Sequence, residues 1–297
     1  MADTKLSVDS MEPIDITPID KDNMSFFEPM LPVEMVTLLK NELAFAMGAV
    51  VDNTACGIIV VQPLEVSAQI LWIFVAEDYR REYIGSTLFG EITEYLQNPD
   101  SFQMSGVFCR YSVKDDDSDS EVKAFLESVD FEQNETGEYS VSLTLAELNE
   151  IEFAQNPDAS VAYFPVMKLS PFHLYKLNEE LDRQEANFSG EQISFDSVMP
   201  YCSTVMYRSE KPTGCVCVSD GMDDKDKILT VLFIGEKDTR AINGMFRNAA
   251  AALTEKHSPD TILRVPIVSE SAGRMAKLMF KNKEKICEKV FIAQHYF

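Results

Sequence analysis

Between Val75 and Ile92 the chain reads VAEDYRREYIGSTLFGEI, and the centre of that stretch, Arg80-Arg81-Glu82-Tyr83-Ile84-Gly85, has residue types and spacing suited to holding a phosphate-bearing ligand. An apolar strand ends just before it and a helix begins inside it. The first amides of a helix have no intrahelical acceptor, and the aligned peptide dipoles place partial positive charge at the same end. Such a terminus takes a diphosphate directly through its N–H groups, which do not depend on side-chain identity. Loops of this kind usually carry glycine where Tyr83 stands. If positive φ or close phosphate approach is required there, the tyrosine costs about 1–2 kcal/mol, which is about fivefold to thirtyfold in affinity.

The elements that must position this loop are legible on both sides of it. SAQILWIFVAE, rich in large and β-branched residues, reads as the strand that feeds it; Ile84, Leu88, Phe89, Ile92 and Leu96 put one apolar stripe along the helix that follows, ending near Asn98-Pro99. Upstream lie a strand in EPIDITPID, a helix over Pro32 to Leu43, and a hairpin of AFAMGAVVDN and ACGIIVVQPL turning at Asp52-Asn53. Downstream come a strand in SGVFCRYSV, a capped helix in SDSEVKAFLESVDF and a closing strand in GEYSVSLTLAEL. After a polar boundary at Gln155-Asn156-Pro157-Asp158 the order repeats. VAYFPVMKL is a strand, HLYKLNEELDR a helix, STVMYRSE, PTGCVCVSD and KILTVLFIGE three strands, DTRAINGMFRNAAAALTEK a helix, DTILRVPIVSE a strand, SAGRMAKLMFKN a helix and ICEKVFIAQHYF a strand. The halves share a layout with little residue identity, the mark of duplication followed by divergence.

The loop and its flanks resemble the cofactor loop of the GNAT superfamily of acyl-CoA N-acyltransferases, whose pattern is Gln/Arg-x-x-Gly-x-Gly/Ala between the fourth strand and the next helix. Arg80 matches the first position and Gly85 the last; Glu82 and Tyr83 depart from it. The resemblance implies an α/β fold of two tandem GNAT-like domains, over 11–150 and 158–297, each a mixed, mostly antiparallel central sheet flanked by helices. It implies acetyl-CoA or another acyl-CoA as cofactor. Phe74 and Val75 would meet the pantetheine arm through main-chain groups, and Arg80, Arg81, Glu82, Tyr83, Ile84, Gly85, Ser86 and Thr87 would surround the pyrophosphate. In the second half the corresponding IGEKDTRAINGMF lacks the pattern, with Asn243 and Gly244 near where Ser86 and Thr87 fall, so that domain reads as a degenerate partner.

Acyl transfer to an amine needs a base for the amine proton and an acid for the departing thiolate. The glutamate often found on the family's fourth strand falls on Gln69, and the tyrosine often found on the helix after the fifth strand falls on Leu126. Glu65, just before the central strand, and Tyr111, near the end of the fifth, are the substitutes, though Glu65 also reads as a solvated carboxylate and Tyr111 as a packing residue. Trp72, the single tryptophan, reads as a core or cleft-wall residue.

The remaining composition narrows the partners. The chain has 297 residues, 45% hydrophobic, with 49 acidic against 26 basic side chains and a formal charge of −23. That charge repels nucleic acid and anionic membrane surfaces and is compatible with a cationic acceptor. No apolar run approaches the about 18 residues of a membrane span. The six cysteines form no CxxC pair and, with three histidines, offer no zinc set. Asp115, Asp117 and Asp119 have calcium-loop spacing, but Ser120 and Leu126 occupy the glycine and last-ligand positions, so this run reads as a helix-capping loop. The expectation is a cytoplasmic N-acyltransferase moving an acyl group from acyl-CoA to a small-molecule or peptide amine, without metal, nucleic acid or membrane; a non-catalytic acyl-CoA sensor is the alternative.

Overall fold

The structure is a computed structural model and describes residues 13–115, 120–151, 160–185, 198–221, 226–235 and 239–297. Its first half runs β1 (Asp15–Pro18), α1 (Met24–Phe27), α2 (Val33–Lys40), β2 (Phe45–Val51), β3 (Thr54–Pro63), β4 (Ala68–Val75), α3 (Ile84–Gln97), β5 (Gly106–Lys114), α4 (Glu121–Ser128), β6 (Glu132–Thr144) and α5 (Leu145–Asn149). The second runs β7 (Val161–Pro165), α6 (Pro171–Glu185), β8 (Thr204–Arg208), β9 (Lys211–Asp220), β10 (Asp226–Ile234), α7 (Thr239–Thr254), β11 (Ile262–Ile267), α8 (Glu270–Phe280) and β12 (Lys285–Tyr296). The expected boundary at 155–158 lies outside the described residues.

Contacts group the chain into two compact units that interleave along the sequence. The first contains the described residues of 1–113, 117–136 and 290–297; the second contains those of 114–116 and 137–289. In unit one the strand order is β1-β2-β3-β4-β5-β12, and in unit two it is β6-β11-β10-β9-β8-β7. The changeover inside β6 falls at Gly137, the one glycine with positive φ (80°) among the described residues. β4–β5 and β10–β11 are parallel, whereas the ladders β1–β2, β2–β3, β3–β4 and β7–β8, β8–β9, β9–β10, β11–β6 are antiparallel. The strands of each unit are therefore mixed in direction and mostly antiparallel. The repeat extends to detail, because in both units the strand that enters the parallel pair carries a register shift against its antiparallel neighbour.

That shift matters in unit one. Val60 pairs with Trp72 and Val61 with Ile70, leaving Leu71 as a bulge residue on β4. The extra residue resets the alternation of side chains. Ile70, Ile73 and Val75 face the cluster built with Leu88 and Ile92 of α3 and Leu126 of α4, while the consecutive Leu71 and Trp72, with Phe74, face the cluster of Phe27 and Leu39. Trp72 is fixed there by its indole N–H, which donates to the Met30 carbonyl at 3.0 Å, and it stacks on Phe74 at 6.5 Å. In unit two Met279 and Phe280 of the Met-rich α8 lie in the main core.

Two boundaries differ from the sequence reading, and one short element is additional. GEYSVSLTLAEL is not strand to its end, because Thr144 and Glu147 form a reciprocal capping box that starts α5. The closing strand also begins earlier than its alternation shows, at Glu132. The short α1, with Met24 and Phe27 buried, is too brief to display a period. Ser120 caps α4 by accepting from the Lys123 amide, as read; residues 116–119 of the acidic run lie outside the described residues.

α3 is seated on β3 through Gly57, where an added Cβ would lie 2.9 Å from Ile84 Cγ2, 3.1 Å from Leu88 Cδ1 and 3.3 Å from the Phe74 carbonyl. Gly57→Val is therefore expected to force α3 away from the sheet and cost about 1–3 kcal/mol. Urea denaturation measures this directly, and an unchanged midpoint would contradict the seating.

Candidate functional site

Parallel pairing of β4 with β5 covers only Ala68 with Val107, Gln69 with Phe108 and Ile70 with Cys109, although β4 continues to Val75 and β5 to Lys114. Beyond Ile70 the β5-facing edge of β4 carries no strand among the described residues. The Ala76 amide donates to the Cys56 carbonyl at 2.8 Å, which fixes the phase of the antiparallel ladder with β3. By alternation the main-chain groups of Phe74 are turned to β3, and those of Ile73 and Val75 point to the open side. The Val75 carbonyl there accepts from Arg80 Nε at 3.2 Å. Of the two main-chain contacts expected for a pantetheine arm, Val75 is on the open edge; the other residue there is Ile73, which sequence reading missed because only the ladder's register shows it.

The loop leaves this edge through a single 3₁₀ turn at Glu77–Tyr79 and reaches α3 through two left-handed residues, Arg81 (φ 67°) and Tyr83 (φ 63°). The Thr87 amide and hydroxyl both donate to the Tyr83 carbonyl, at 2.8 and 3.0 Å, closing the first turn. The amides of Arg81 through Ser86 donate to no protein acceptor among the described residues, and no side chain caps the helix. Ile84 is buried beneath the loop, and the Tyr83 side chain is 71% exposed. Gly85 has a packing reason, because an added Cβ would press on the Phe125 ring of α4 at 3.0 Å. Arg80 also pairs with Glu121 at the start of α4 (3.3 Å), an exposed pair of little energetic weight that still orients the guanidinium beside the loop. The backbone conformation that glycine would supply is thus kept by tyrosine, and the ring projects to solvent.

The two candidate proton-handling residues stand in different places. Tyr111 lies on β5 and stacks on Phe291 of β12 at 5.5 Å. Its hydroxyl donates to Gln133, whose amide donates to the Lys123 carbonyl at 3.2 Å. Burial, with smaller contributions from Cys109 and Glu127, pushes the phenol up to about 12, so it holds its proton throughout the neutral range. Glu65 is exposed in the turn between β3 and β4, before Ala68. At about 3.3 Å per residue, β4 alone separates that end from Val75 by about 23 Å. The structure does not bring Glu65 to the loop. Gln69 sits in the paired part of β4, and Leu126 is a buried core residue.

In unit two Asn243 and Gly244 lie in the early turns of α7, as Ser86 and Thr87 lie in the first turn of α3, and Gly244 makes room for Tyr163, whose hydroxyl donates to the Ala241 carbonyl at 2.8 Å. Residues 236–238, which precede α7, lie outside the described residues. All six cysteines are free, five of them buried; Cys215 and Cys217 share a face with sulfurs 3.9 Å apart. Among the described residues no group of three or more His, Cys, Asp or Glu is arranged to hold a metal ion, and no helix is long and apolar enough to cross a membrane.

No protein-family model and no curated protein matches the sequence. Solved structures do match. A tandem GNAT protein from the clavulanic acid biosynthesis pathway aligns over 96% of this chain and 98% of its own, at TM-score 0.65 and 11% identity. A GCN5-related N-acetyltransferase from Sphaerobacter thermophilus aligns over 96% and 97%, at 0.53 and 12%. One from Kribbella flavida aligns over 96% and 71%, at 0.54 and 11%. The chain has the tandem GNAT fold.

On this GNAT fold the departure at Tyr83 becomes a measurable backbone question. Tyr83→Gly relieves a left-handed conformation costing about 1–2 kcal/mol and adds about 0.5–1 kcal/mol of chain entropy to the unfolded state. Its stability should therefore match or exceed the parent's by up to about 1.5 kcal/mol. Tyr83→Val, β-branched at positive φ, should lose at least about 1 kcal/mol. Thermal denaturation of the two variants checks this; a stable valine variant would show that the loop does not hold positive φ at this residue.

Proposed function

We propose that unit one binds acetyl-CoA or another acyl-CoA along β4 and the start of α3, and that the protein is an N-acyltransferase acting on an amine. The observation that carries this reading is the row of amides from Arg81 to Ser86 that meet no acceptor among the described residues, beside a strand edge that none of the described strands pairs. The two features fit the two parts of one ligand, a diphosphate at the helix start and an amide-bearing arm along an open strand. Arg80, held by Val75 and Glu121, adds positive charge next to the diphosphate seat. Main-chain groups of Val75 and Ile73 hold the arm, with Phe74 supporting the strand through its packing on Trp72. Glu82, Tyr83, Ile84, Gly85, Ser86 and Thr87 complete the wall of the seat, of which Ile84 and Gly85 are anchored against β3 and α4.

When bound, acyl-CoA supplies the thioester carbonyl; the chain's own part is to orient it and to handle protons. Tyr111 is assigned as proton donor, being protonated at neutral pH and on the strand across the opening from β4. Glu65, at the far end of β4, is the weaker of the two candidates. Proximity of a deprotonated amine to a fixed thioester supplies much of the rate without a dedicated base. The acidic surface favours a small-molecule or peptide acceptor that carries positive charge, and a cytoplasmic setting goes with six unpaired cysteines. Along the chain, 11–150 and 158–297 are the two repeats, the second with a degenerate loop.

One observation favours a second reading, a non-catalytic acyl-CoA sensor: Gln69 and Leu126 occupy the usual acid–base positions and the Tyr111 hydroxyl is already engaged by Gln133. Calorimetry with acetyl-CoA and free CoA, then thioester consumption against polyamines, aminoglycosides and basic peptides, separates the readings. Binding with turnover on at least one acceptor supports the enzyme, binding with silence across the panel supports the sensor, and no heat with either ligand rejects both. In the enzyme, Tyr111→Phe should lower turnover by about 10²-fold or more with binding retained, and Glu65→Gln should have a smaller effect. Full turnover in Tyr111→Phe would remove that assignment.

A further inference from the structure

The end of unit one where β2 begins and β3 ends is apolar, and the lysines that reach it are each paired with a carboxylate: Lys21 with Glu42 at 2.8 Å and Lys40 with Glu28 at 3.1 Å. No lysine or arginine stands between Lys40 and Arg80, or between Arg81 and Arg110, the spans that supply β2, β3, β4 and α3. The register brings the pieces of this rim together. Phe45 pairs with Val61 and Pro63 with Ala68, so Leu43 and the turn at Leu64–Val66 meet at the same edge. Ser105 ties the turn to the segment after α3, its amide and hydroxyl both donating to the Val66 carbonyl at 2.9 and 2.7 Å. Phe102 of that segment stacks on Phe45 at 5.2 Å, and Tyr95 of α3 stands edge-on to both at 5.5 and 5.9 Å.

These rings form an ordered platform, and the side chains beside it face solvent. Val66 is 68% and Leu43 54% exposed, and Leu64, Tyr95 and Phe102 are exposed as well. Apart from Lys21, which Glu42 beside Leu43 holds in an ion pair, the charged neighbours are acidic: Glu91 and Glu94 on the same helix as Tyr95, Asp100 next to Phe102, and Glu65 between the two apolar residues of the turn, all exposed. A surface of this kind combines contact area for apolar side chains with a negative rim that selects the sign of the partner.

We infer that this rim is a docking surface for a basic polypeptide segment carrying apolar side chains, such as one face of a Lys/Arg-rich amphipathic helix from a partner protein. Charge decides between occupants. A second copy of this chain would bring the same acidic rim on a body with net charge −23, and an anionic lipid surface would be repelled for the same reason. A basic amphipathic segment satisfies both features at once, its apolar side chains covering Leu43, Val66 and Phe102 and its lysines or arginines meeting Glu94 and Asp100. The site lies at the opposite end of β4 from the loop at 80–87, so the inference does not rest on acyl-CoA binding.

The probe is a fluorescein-labelled Leu/Lys amphipathic peptide titrated with the full chain, without acyl-CoA, by fluorescence anisotropy. Binding should be saturable and weaken at least about tenfold when salt is raised from about 0.05 to about 0.5 M. Leu43→Ser/Val66→Ser and Glu94→Lys/Asp100→Lys should each weaken it at least about tenfold. All four positions are exposed, and circular dichroism confirms that each variant is folded. A Ser/Lys peptide of equal charge should bind at least about tenfold more weakly. Parent-like affinity in both double variants, or equal binding of the Ser/Lys peptide, would overturn the inference. So would sedimentation showing a dimer that Leu43→Ser/Val66→Ser abolishes, with no peptide binding, since that assigns the rim to a second copy.

Discussion

Three residues of parallel pairing join β4 to β5, and where that pairing stops determines most of what the candidate site offers. A strand edge inside a sheet is ordinarily consumed by its neighbour. Here the parting beyond Ile70 leaves main-chain donors and acceptors of Ile73 and Val75 facing an opening, in an element whose other edge is locked to β3. The bulge at Leu71 belongs to the same arrangement. It gives both faces of β4 apolar cover, with Leu71 and Trp72 on the α1–α2 side and Ile73 and Val75 on the α3–α4 side. The open edge is therefore backed by apolar packing on both faces.

The helix start adds the second half of the site by the same logic. Gly57 brings α3 down onto β3 and Gly85 brings its first turn against Phe125, so the unpartnered amides are placed by packing at two glycines rather than by a glycine-rich loop. This explains how Tyr83 is accommodated. The left-handed turn is imposed by the buried Ile84 on one side and the Arg80–Val75 contact on the other, and the tyrosine adopts it with its ring in solvent. The cost of about 1–2 kcal/mol is small beside the burial of the α3 stripe, where each large apolar side chain contributes about 1.5–3 kcal/mol.

Much of this was legible in the sequence. The order of strands and helices, the stripe on α3, the Asp52-Asn53 turn and the repeat of layout between the halves all follow from periodicity and turn chemistry, because they depend on neighbours in the chain. Arg80 and Gly85 marked the loop. What the sequence hid depends on partners distant in the chain: that β4 parts from β5 after Ile70, that Ile73 rather than Phe74 shares the open edge with Val75, and that Tyr111 is engaged by Gln133. The exchange that places residues 290–297 in unit one and 137–144 of β6 in unit two has no local signature either. LTLAEL misled for a different reason, since its alternation is real but the Thr144–Glu147 capping box takes precedence.

The central claim, that the amides of Arg81 to Ser86 and the open edge of β4 together seat an acyl-CoA, is tested most directly by amide ¹⁵N–¹H spectra recorded during a titration with coenzyme A. The account predicts saturable shifts concentrated at Ile73, Val75 and Arg81 through Ser86, with slowed exchange of the loop amides and little change in α7. Saturating ligand that leaves those resonances where they were, or that moves resonances elsewhere instead, would contradict it.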